Sequence, residues 1–177
     1  TARGECGNQV KLVFIGNPNN PTGTYVGAAE VERFMAQAPT KTIVVFDEAY
    51  VEYVDAPDFP DSLAFVRAGR NAVVLRTFSK IHALAGLRVG YGVAPPHLME
   101  PLERVREPFN VSNVAQAAAA ASLSDPAQVA RSRQVNAEGK AFLYGGFGRL
   151  GLRCVPTQAN FIFVDVARPC RAVFEEL

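Results

Sequence analysis

Cysteine and histidine are scarce in this chain of 177 residues, which has three cysteines and two histidines. Cys6, Cys154 and Cys170 fall at no metal-ligand spacing, and an odd number of cysteines cannot all pair. We therefore expect a reducing, cytoplasmic compartment. His82 and His97 are too far apart to suggest a shared metal, and an HExxH run is absent, so we expect no metal site.

A large net charge is also absent. Lysine and arginine number 18 against 17 acidic residues, and the two signs are mixed along the chain. This balance predicts neither nucleic-acid binding nor attraction to an anionic membrane, so any bound anion must be held locally. No apolar run approaches the roughly 20 residues that span a bilayer, and we expect no signal peptide.

Two nucleotide-binding motifs are missing as well. The chain has no GxxxxGK[ST] run for nucleotide phosphates. The glycines in Gly86–Gly90 precede a predicted strand and lack the following helix, so they do not form a dinucleotide fingerprint. Kinase-like and NAD-dependent functions are therefore not predicted.

Short apolar runs typical of buried strands alternate with helical patterns, within an ordinary globular composition of 49% hydrophobic and 20% charged residues. The alternation predicts an α/β fold, a mostly parallel sheet between helices. The last predicted strand is far from the polar clusters described below. The predicted strands are Val10–Gly16, Thr42–Phe46, Asn71–Phe78, Leu87–Ala94 and Phe161–Val166.

Three helices are predicted from spacing and propensity. In residues 28–38 the apolar side chains of Val31, Phe34 and Met35 share one face. Residues 113–123 are rich in alanine, the strongest helix former. A longer helix is predicted to begin at Pro126, after the N-cap residues Ser124 and Asp125. We expect it to run to about residue 144, where two glycines loosen its end.

The long helix suggests a domain boundary near Asp125. Residues 1–125 are predicted to form part of a large domain, and residues 126–177 a bridging helix with the beginning of a smaller α+β domain. Thr1 is not a start methionine, and residues 172–177 read as a helix that is just beginning. We therefore expect a piece of a longer protein.

Three polar clusters follow three of the predicted strands. They are the runs NPNNPTG at 17–23, DEAY at 47–50 and TFSK at 77–80, and Arg88 follows the last by eight residues. Each has a structural alternative when taken alone, as a turn, a helix cap or a surface charge. Because ligands bind outside the carboxyl ends of strands in open α/β sheets, we expect these side chains to converge on one crevice.

Together the clusters contain what pyridoxal phosphate needs around its ring. A lysine such as Lys80 can form a Schiff base if a desolvated pocket with a cationic neighbour favours its neutral amine. Asp47 can keep the pyridine nitrogen protonated, which makes the ring an electron sink. Asn20 and Tyr50 can form hydrogen bonds to the phenolic oxygen of the ring.

The phosphate of such a cofactor needs cationic and hydroxyl donors. Arginine suits a dianionic phosphate better than lysine because its guanidinium forms two parallel hydrogen bonds. Arg88, with the hydroxyl groups of Thr77 and Ser79, is therefore the candidate set.

Taken in order, NPNNPTG, VVFDEAYVEY and LRTFSKIHALAGLRVGYGVA resemble the class II aminotransferases of fold type I, and most closely their histidinol-phosphate branch. REPFNVS at 106–112 and QANF at 158–161 support the same branch. The resemblance covers nearly the whole chain. It implies the large domain of a fold type I transferase that depends on pyridoxal phosphate.

The resemblance also implies roles for individual residues. It makes Lys80 the lysine that binds the cofactor covalently and later carries the proton, and Asp47 the partner of the pyridine nitrogen. His82 and Glu48 are interpreted as structural. It assigns Asn20 and Tyr50 to the phenolic oxygen of the ring. It assigns Thr77, Ser79 and Arg88 to the phosphate.

The activity implied is transamination of histidinol phosphate with 2-oxoglutarate, in histidine biosynthesis, by a homodimer. Aromatic amino-acid aminotransferase and threonine-phosphate decarboxylase share the same catalytic residues and stay open as alternatives. An inactive truncated fragment is a third alternative. Family members also use an aromatic residue that stacks on the ring, a tyrosine from the partner subunit and an arginine for the substrate carboxylate, and none of these is found in this chain.

Overall fold

A computed structural model describes residues 10–177 of the chain. Cys6 lies outside these residues. The strands are β1 (Leu12–Gly16), β2 (Ile43–Asp47), β3 (Ala72–Thr77), β4 (Gly90–Val93), β5 (Arg153–Val155) and β6 (Phe163–Asp165). The α-helices are α1 (Ala28–Gln37), α2 (Ser62–Arg67), α3 (Pro96–Val105), α4 (Asn113–Leu123), α5 (Pro126–Arg149) and α6 (Cys170–Glu176). Short 3₁₀ helices span Val51–Tyr53 and Ala85–Leu87.

The main sheet has the strand order β1-β2-β3-β4. The first three strands are parallel, and β4 runs antiparallel to β3. Gly16 pairs with Asp47, and Asp47 pairs with Leu75, so the three parallel strands end at the same edge of the sheet. The predicted α/β fold with a mostly parallel sheet is confirmed, and its carboxyl edge is where the three polar clusters begin.

One face of the sheet carries the hydrophobic core. The predicted inner face of α1 is confirmed, since Val31 and Met35 are buried and Phe34 is partly buried against them. α2 contributes Leu63 and Phe65 to the same side. Burial of such side chains stabilises each by about 1.5–3 kcal/mol relative to exposure. The buried residues of this cluster are Val31, Met35, Val44, Phe46, Ala72 and Val74.

β1 differs from the expectation of a strand buried on both faces. Its burial alternates, with Ile15 packed against the core and Leu12 and Phe14 exposed at 45% and 67%. Among the described strands β1 pairs only with β2, so it is an edge strand. An apolar run alone does not distinguish a strand covered on two faces from one covered on a single face.

α5 continues past the glycine pair at 145 and 146 and ends at Arg149, so the predicted end near Tyr144 is wrong. Glycine in a helix costs about 1 kcal/mol relative to alanine but does not terminate it. Termination occurs at Gly151, which has a left-handed φ of 69°. The N–H of Leu152 donates to the carbonyl of Phe147, and the N–H of Gly151 to that of Gly148, which is the Schellman arrangement.

The C-terminal part has its own small sheet, in which β5 and β6 are antiparallel. The predicted strand at 161–166 is shorter than expected, because only Phe163–Asp165 pairs with β5. Contacts join this part to the preceding one, for example from the Arg133 Nη2 to the Val54 carbonyl at 3.1 Å. The boundary near Asp125 stays a prediction. No helix within residues 10–177 is long and apolar enough to cross a membrane.

Candidate active site

The first polar loop is closed by a buried asparagine. Asn17 is 1% exposed, and its side chain accepts a hydrogen bond from the Val26 N–H at 2.9 Å and donates to the Val26 carbonyl at 3.0 Å. Its own N–H donates to the carbonyl of Asp47, which joins the loop to the end of β2. These bonds fix both ends of the loop that carries Asn20.

Asn20 and Tyr50 are direct partners. The Asn20 Nδ2 donates to the Tyr50 hydroxyl at 3.0 Å, although the two residues are 30 positions apart. Tyr50 is 6% exposed and directly precedes the 3₁₀ helix Val51–Tyr53, three residues after β2 ends. Two side chains predicted to act on the same phenolic oxygen therefore lie together.

Lys80 lies over this pair. Its Nζ is 5.3 Å from the centroid of the Tyr50 ring, a distance at which an ammonium group is attracted to an aromatic face. Lys80 sits in a turn after β3, where its carbonyl accepts from the N–H of Ala83 at 3.0 Å. Ala83 has a left-handed φ of 57°, so the backbone here is constrained.

Lys80 also faces a cavity of about 370 Å³ at the carboxyl edge of the sheet. Asp47 lines the same cavity, and its Oδ1 accepts from the N–H of Ala49 at 3.2 Å. The volume of this cavity falls at the lower end of the range for small-ligand sites, roughly 300–1,000 Å³. The other polar residues that line it are Arg76, Thr77, Ser79 and Arg88.

One wall of this cavity is rich in donors. The Thr77 hydroxyl oxygen accepts from the N–H of Ser79 at 3.0 Å, so its own proton remains to be donated. Arg88 is exposed, and its Nη1 donates to the carbonyl of Ala85 at 2.8 Å, which orients the guanidinium. Arg88 has left-handed backbone angles, φ 52° and ψ 58°. A strained residue in a cavity wall is typical of a functional site.

All seven predicted site residues therefore meet at one edge of the sheet. Five line the 370 Å³ cavity, and the Asn20–Tyr50 pair adjoins it through Lys80. Their roles toward a cofactor stay predictions. We refer to this set as the seven site residues: Asn20, Asp47, Tyr50, Thr77, Ser79, Lys80 and Arg88.

Sequence analysis missed Arg76, which lines the cavity and pairs with Glu48. Arg76 donates to the Glu48 Oε2 from Nε at 3.0 Å and from Nη2 at 2.8 Å. The Glu48 side chain is 2% exposed and that of Arg76 is 24% exposed. Burial lowers the pKa of Arg76, but the hydrogen bonds and charges of Glu48 and Tyr91 together outweigh it and raise the pKa overall. The structural interpretation of Glu48 agrees with this ion pair.

Two polar atoms near the site are buried without a hydrogen-bond partner among residues 10–177, the Glu52 Oε2 and the His82 Nδ1. Burial raises the pKa of Glu52 and lowers the pKa of His82, so both neutral forms are favoured. The His82 ring also packs on Phe78, with centroids 5.0 Å apart. Neither side chain lines the cavity beside Asp47.

Lys80 also lines a second cavity, of about 530 Å³. The lining of this cavity includes Tyr53, Asn160 and Phe161. Phe161 contacts Tyr50 edge to face, with ring centroids 5.2 Å apart. The expectation that residues 161–166 lie far from the polar clusters is therefore wrong at Phe161. A larger cavity of about 760 Å³, beside α5, contains none of the seven site residues.

Comparison with known proteins shows that the chain matches one protein family and is similar to several proteins. The model of a family described as "Aminotransferase class I and II" matches residues 3–177. A histidinol-phosphate aminotransferase of Moorella thermoacetica is 59% identical over 170 residues, which cover 96% of this chain and 44% of that protein. One of Anaeromyxobacter sp. is 53% identical over 170 residues, with 96% and 47% covered.

A solved structure agrees with these relatives. The histidinol-phosphate aminotransferase of Sinorhizobium meliloti, in complex with pyridoxal-5'-phosphate, superposes with a TM-score of 0.87 at 31% identity. The match covers 94% of this chain and 46% of that one. The chain thus spans less than half the length of the relatives that it matches.

Proposed function

This chain belongs to the aminotransferase class I and II family, and we propose on that basis that it forms the cofactor-binding part of an aminotransferase that uses pyridoxal phosphate. One observation carries the proposal. Lys80 lies over the Tyr50 ring of the Asn20–Tyr50 pair and lines a cavity with an acid, two hydroxyl groups and two arginines. The relatives and the solved structure with bound cofactor support the same assignment.

The residues present fit the group chemically. An aldehyde needs an amine, a pyridine nitrogen needs an acid, a phenolic oxygen needs donors, and a phosphate needs a guanidinium with hydroxyl groups. Each need has a candidate among the seven site residues. When bound, pyridoxal phosphate supplies an electron sink that stabilises negative charge at the substrate Cα.

In this proposal the side chains at the cavity hold and tune the cofactor. Arg88, Thr77 and Ser79 bind the phosphate. The Asp47 carboxylate would accept a hydrogen bond from the protonated ring nitrogen and so keep the proton on that nitrogen. Tyr50 and Asn20 direct hydrogen bonds at the phenolic oxygen, and their mutual contact orients both groups.

Lys80 has two duties in this proposal. Its Nζ would hold the cofactor covalently at the aldehyde carbon, with loss of water. The same Nζ, as a neutral amine, would act as the base that takes the proton from the substrate Cα. Proton transfer by a positioned side chain contributes about 10²–10⁴-fold to such rates.

The substrates follow from the relatives. We propose histidinol phosphate as the amino donor and 2-oxoglutarate as the acceptor, which would place the enzyme in histidine biosynthesis. Support comes from relatives with 59% and 53% identity that carry this name. We further propose a homodimer, as the resemblance implies, and a cytoplasmic location, which the sparse cysteines favour.

Domain organisation completes the proposal. We propose that residues 1–125 belong to the large domain, and that residues 126–177 form a bridging helix and the beginning of a smaller domain. Support for a longer parent protein is the 44–47% coverage of the relatives.

The assignment of Lys80 is tested in the full-length protein that contains this chain. Reduction of the cofactor-loaded protein with borohydride, followed by peptide mass spectrometry, should place the pyridoxyl group on Lys80. Lys80→Ala should lose both the visible absorbance of the bound cofactor and turnover. Lys41→Ala, a change at an exposed lysine, is the control. Absorbance and turnover that survive Lys80→Ala would refute the assignment.

A further inference from the structure

A segment of the C-terminal part reaches back to the candidate site. Residues 156–161 form most of the connection between β5 and β6, and they contact both loops that carry Asn20 and Tyr50. In the sequence, residues 158–161 contribute to the family resemblance and Phe161 begins a predicted strand, and neither feature predicts a contact with these loops. Its contacts give it a more specific role.

The first contact is with the loop of Asn20. The N–H of Gln158 donates to the carbonyl of Gly23 at 2.8 Å. Gly23 has a φ of 74°, and a Cβ at this position would lie 1.9 Å from the Thr157 Oγ1. The two stretches of backbone can approach this closely only because position 23 is a glycine.

The second contact is with the loop of Tyr50. The Gln158 side-chain oxygen accepts from the N–H of Asp55 at 2.9 Å. Asp55 lies two residues after the 3₁₀ helix that Tyr50 precedes. Gln158 therefore joins the two loops, one through its backbone and the other through its side chain.

The third contact is with the Tyr50 ring itself. Phe161 meets it edge to face, at 5.2 Å between centroids and 82° between planes. Asn20 also contacts Tyr50, at its hydroxyl, and the Lys80 amine lies over its ring. Phe161 thus restricts the direction in which the Tyr50 hydroxyl points.

Hydrogen bonds hold the segment in place. The Thr157 hydroxyl oxygen accepts from the N–H of Ala159 at 2.9 Å, and Ala159 is fully buried. The Thr157 N–H donates to the Tyr144 hydroxyl at 3.1 Å. Lys140 donates to the carbonyls of Thr157 and Ala159 at 3.5 Å and 3.3 Å, so two side chains of α5, Tyr144 and Lys140, tie the segment to that helix.

We propose that residues 156–161 position the Asn20–Tyr50 pair, and that Phe161 is the positioning residue that sets the direction of the Tyr50 hydroxyl. This inference rests on the proposed function, because the hydroxyl matters only if it faces the phenolic oxygen of a bound cofactor. Phe161 itself does not carry out a chemical step here. It acts through Tyr50.

The consequence is a shift in a measurable pH midpoint. Hydrogen bonds to the charged form of an acid favour that form, so donors at the phenolic oxygen stabilise its anion. Without the Phe161 contact the Tyr50 hydroxyl can turn away, and the anion of the phenolic oxygen loses a donor. The proton shared between this oxygen and the Lys80 nitrogen is then bound more tightly and is lost only at higher pH. The midpoint of the visible absorbance change of the bound cofactor should therefore rise.

The test uses the full-length protein loaded with pyridoxal phosphate and titrated by absorbance. Phe161→Leu should raise the midpoint by about half a pH unit or more, an effect within reach of one aromatic contact. Phe161→Tyr retains the ring edge and should restore the midpoint of the parent. Phe163→Leu, the same change at an exposed residue two positions on, should leave it unchanged.

A double variant separates positioning from general structure. In a Tyr50→Phe background the hydroxyl is gone, so Phe161→Leu should add no further shift. If Phe161→Leu does not fold, Phe161→Met takes its place, since methionine fills similar space with a flexible chain.

The outcomes distinguish the two proposals. A parent protein that binds no cofactor overturns the proposed function and this inference with it. A parent that binds cofactor, with unchanged midpoints in the leucine and methionine variants, overturns the role of Phe161 alone. A shift that persists in the Tyr50→Phe background also overturns that role, because Phe161 would then act by another route.

Discussion

Glu48 accepts two hydrogen bonds from Arg76 and so ties the end of β2 to the end of β3. The N–H of Glu48 adds a third bond, to the carbonyl of Leu75 at 2.9 Å. Asp47 directly precedes Glu48, and Thr77 directly follows Arg76. The pair therefore fixes the distance between the carboxylate and the donor-rich wall of the cavity.

Removal of the Arg76 side chain should lower the free energy of unfolding. Arg76→Leu leaves the Glu48 carboxylate, which is 2% exposed, without its cation, and loss of one partner of a buried pair costs about 3–5 kcal/mol. The free energy of unfolding measured with urea should fall by that order. Arg67→Leu is the control, because the Arg67–Asp61 pair is exposed at 66% and 60% and such pairs contribute about 0–1 kcal/mol. Equal losses in both variants would contradict a structural role of the buried pair.

A change at Asp47 tests its proposed contact with the pyridine nitrogen of the cofactor. Asp47→Asn keeps the shape of the side chain but removes the negative charge that holds a proton. Cofactor binding should remain detectable by absorbance, while turnover should fall on the order of 10²-fold or more, as for loss of other electrostatic groups in active sites. Asp58→Asn, at an exposed acid bonded to Tyr25, should change neither measurement. Full turnover in Asp47→Asn would place the ring nitrogen elsewhere.

The pH dependence of stability should report on Glu52. Burial raises the pKa of its carboxyl above the ordinary value of 4.5, and the opposing effects of a backbone hydrogen bond and of Arg76 are smaller. Above pH 4.5 the folded state therefore retains a proton that the unfolded state has lost. The free energy of unfolding should fall as pH rises from 4.5 through the raised pKa.

Glu52→Gln should remove this part of the dependence, because an amide does not titrate. Urea unfolding of both proteins at a series of pH values measures it. Glu32→Gln, at an exposed position on α1, is the matched control. Parallel stability curves for the parent and Glu52→Gln would contradict the assignment.

Substrate choice is tested with a panel. The full-length enzyme should transaminate histidinol phosphate with a higher kcat/KM than phenylalanine, and it should release no carbon dioxide from threonine phosphate. The catalytic residues are common to all three activities, so only a direct comparison separates them. A preference for phenylalanine would indicate an aromatic amino-acid aminotransferase.

The meeting of the seven site residues was predictable because parallel strands end at a common edge. Asn20, Tyr50 and Lys80 each follow a strand by a few residues, and short connections leave little freedom in where they lie. The order of strands and polar residues along the chain was therefore enough to place these three, whereas Arg88 lies further on, just before β4.

Other features depend on contacts that no local pattern encodes. Phe161 reaches Tyr50 from 111 positions away, through a segment positioned by α5. Arg76 follows an apolar run, so in the sequence it looks like the polar end of a strand. Its pairing with Glu48, 28 positions away, appears only in the folded structure. The end of α5 was misplaced because glycine terminates a helix only where the left-handed conformation is adopted, as at Gly151.

The backbone of Arg88 is left-handed, a conformation that lowers folding stability for most side chains. A side chain other than glycine or asparagine costs roughly 1 kcal/mol or more in that conformation. Arg88→Asn should therefore ease folding while it removes the guanidinium that faces the cavity. In the proposed function the Arg88 guanidinium binds the cofactor phosphate, so this position trades folding stability for ligand affinity.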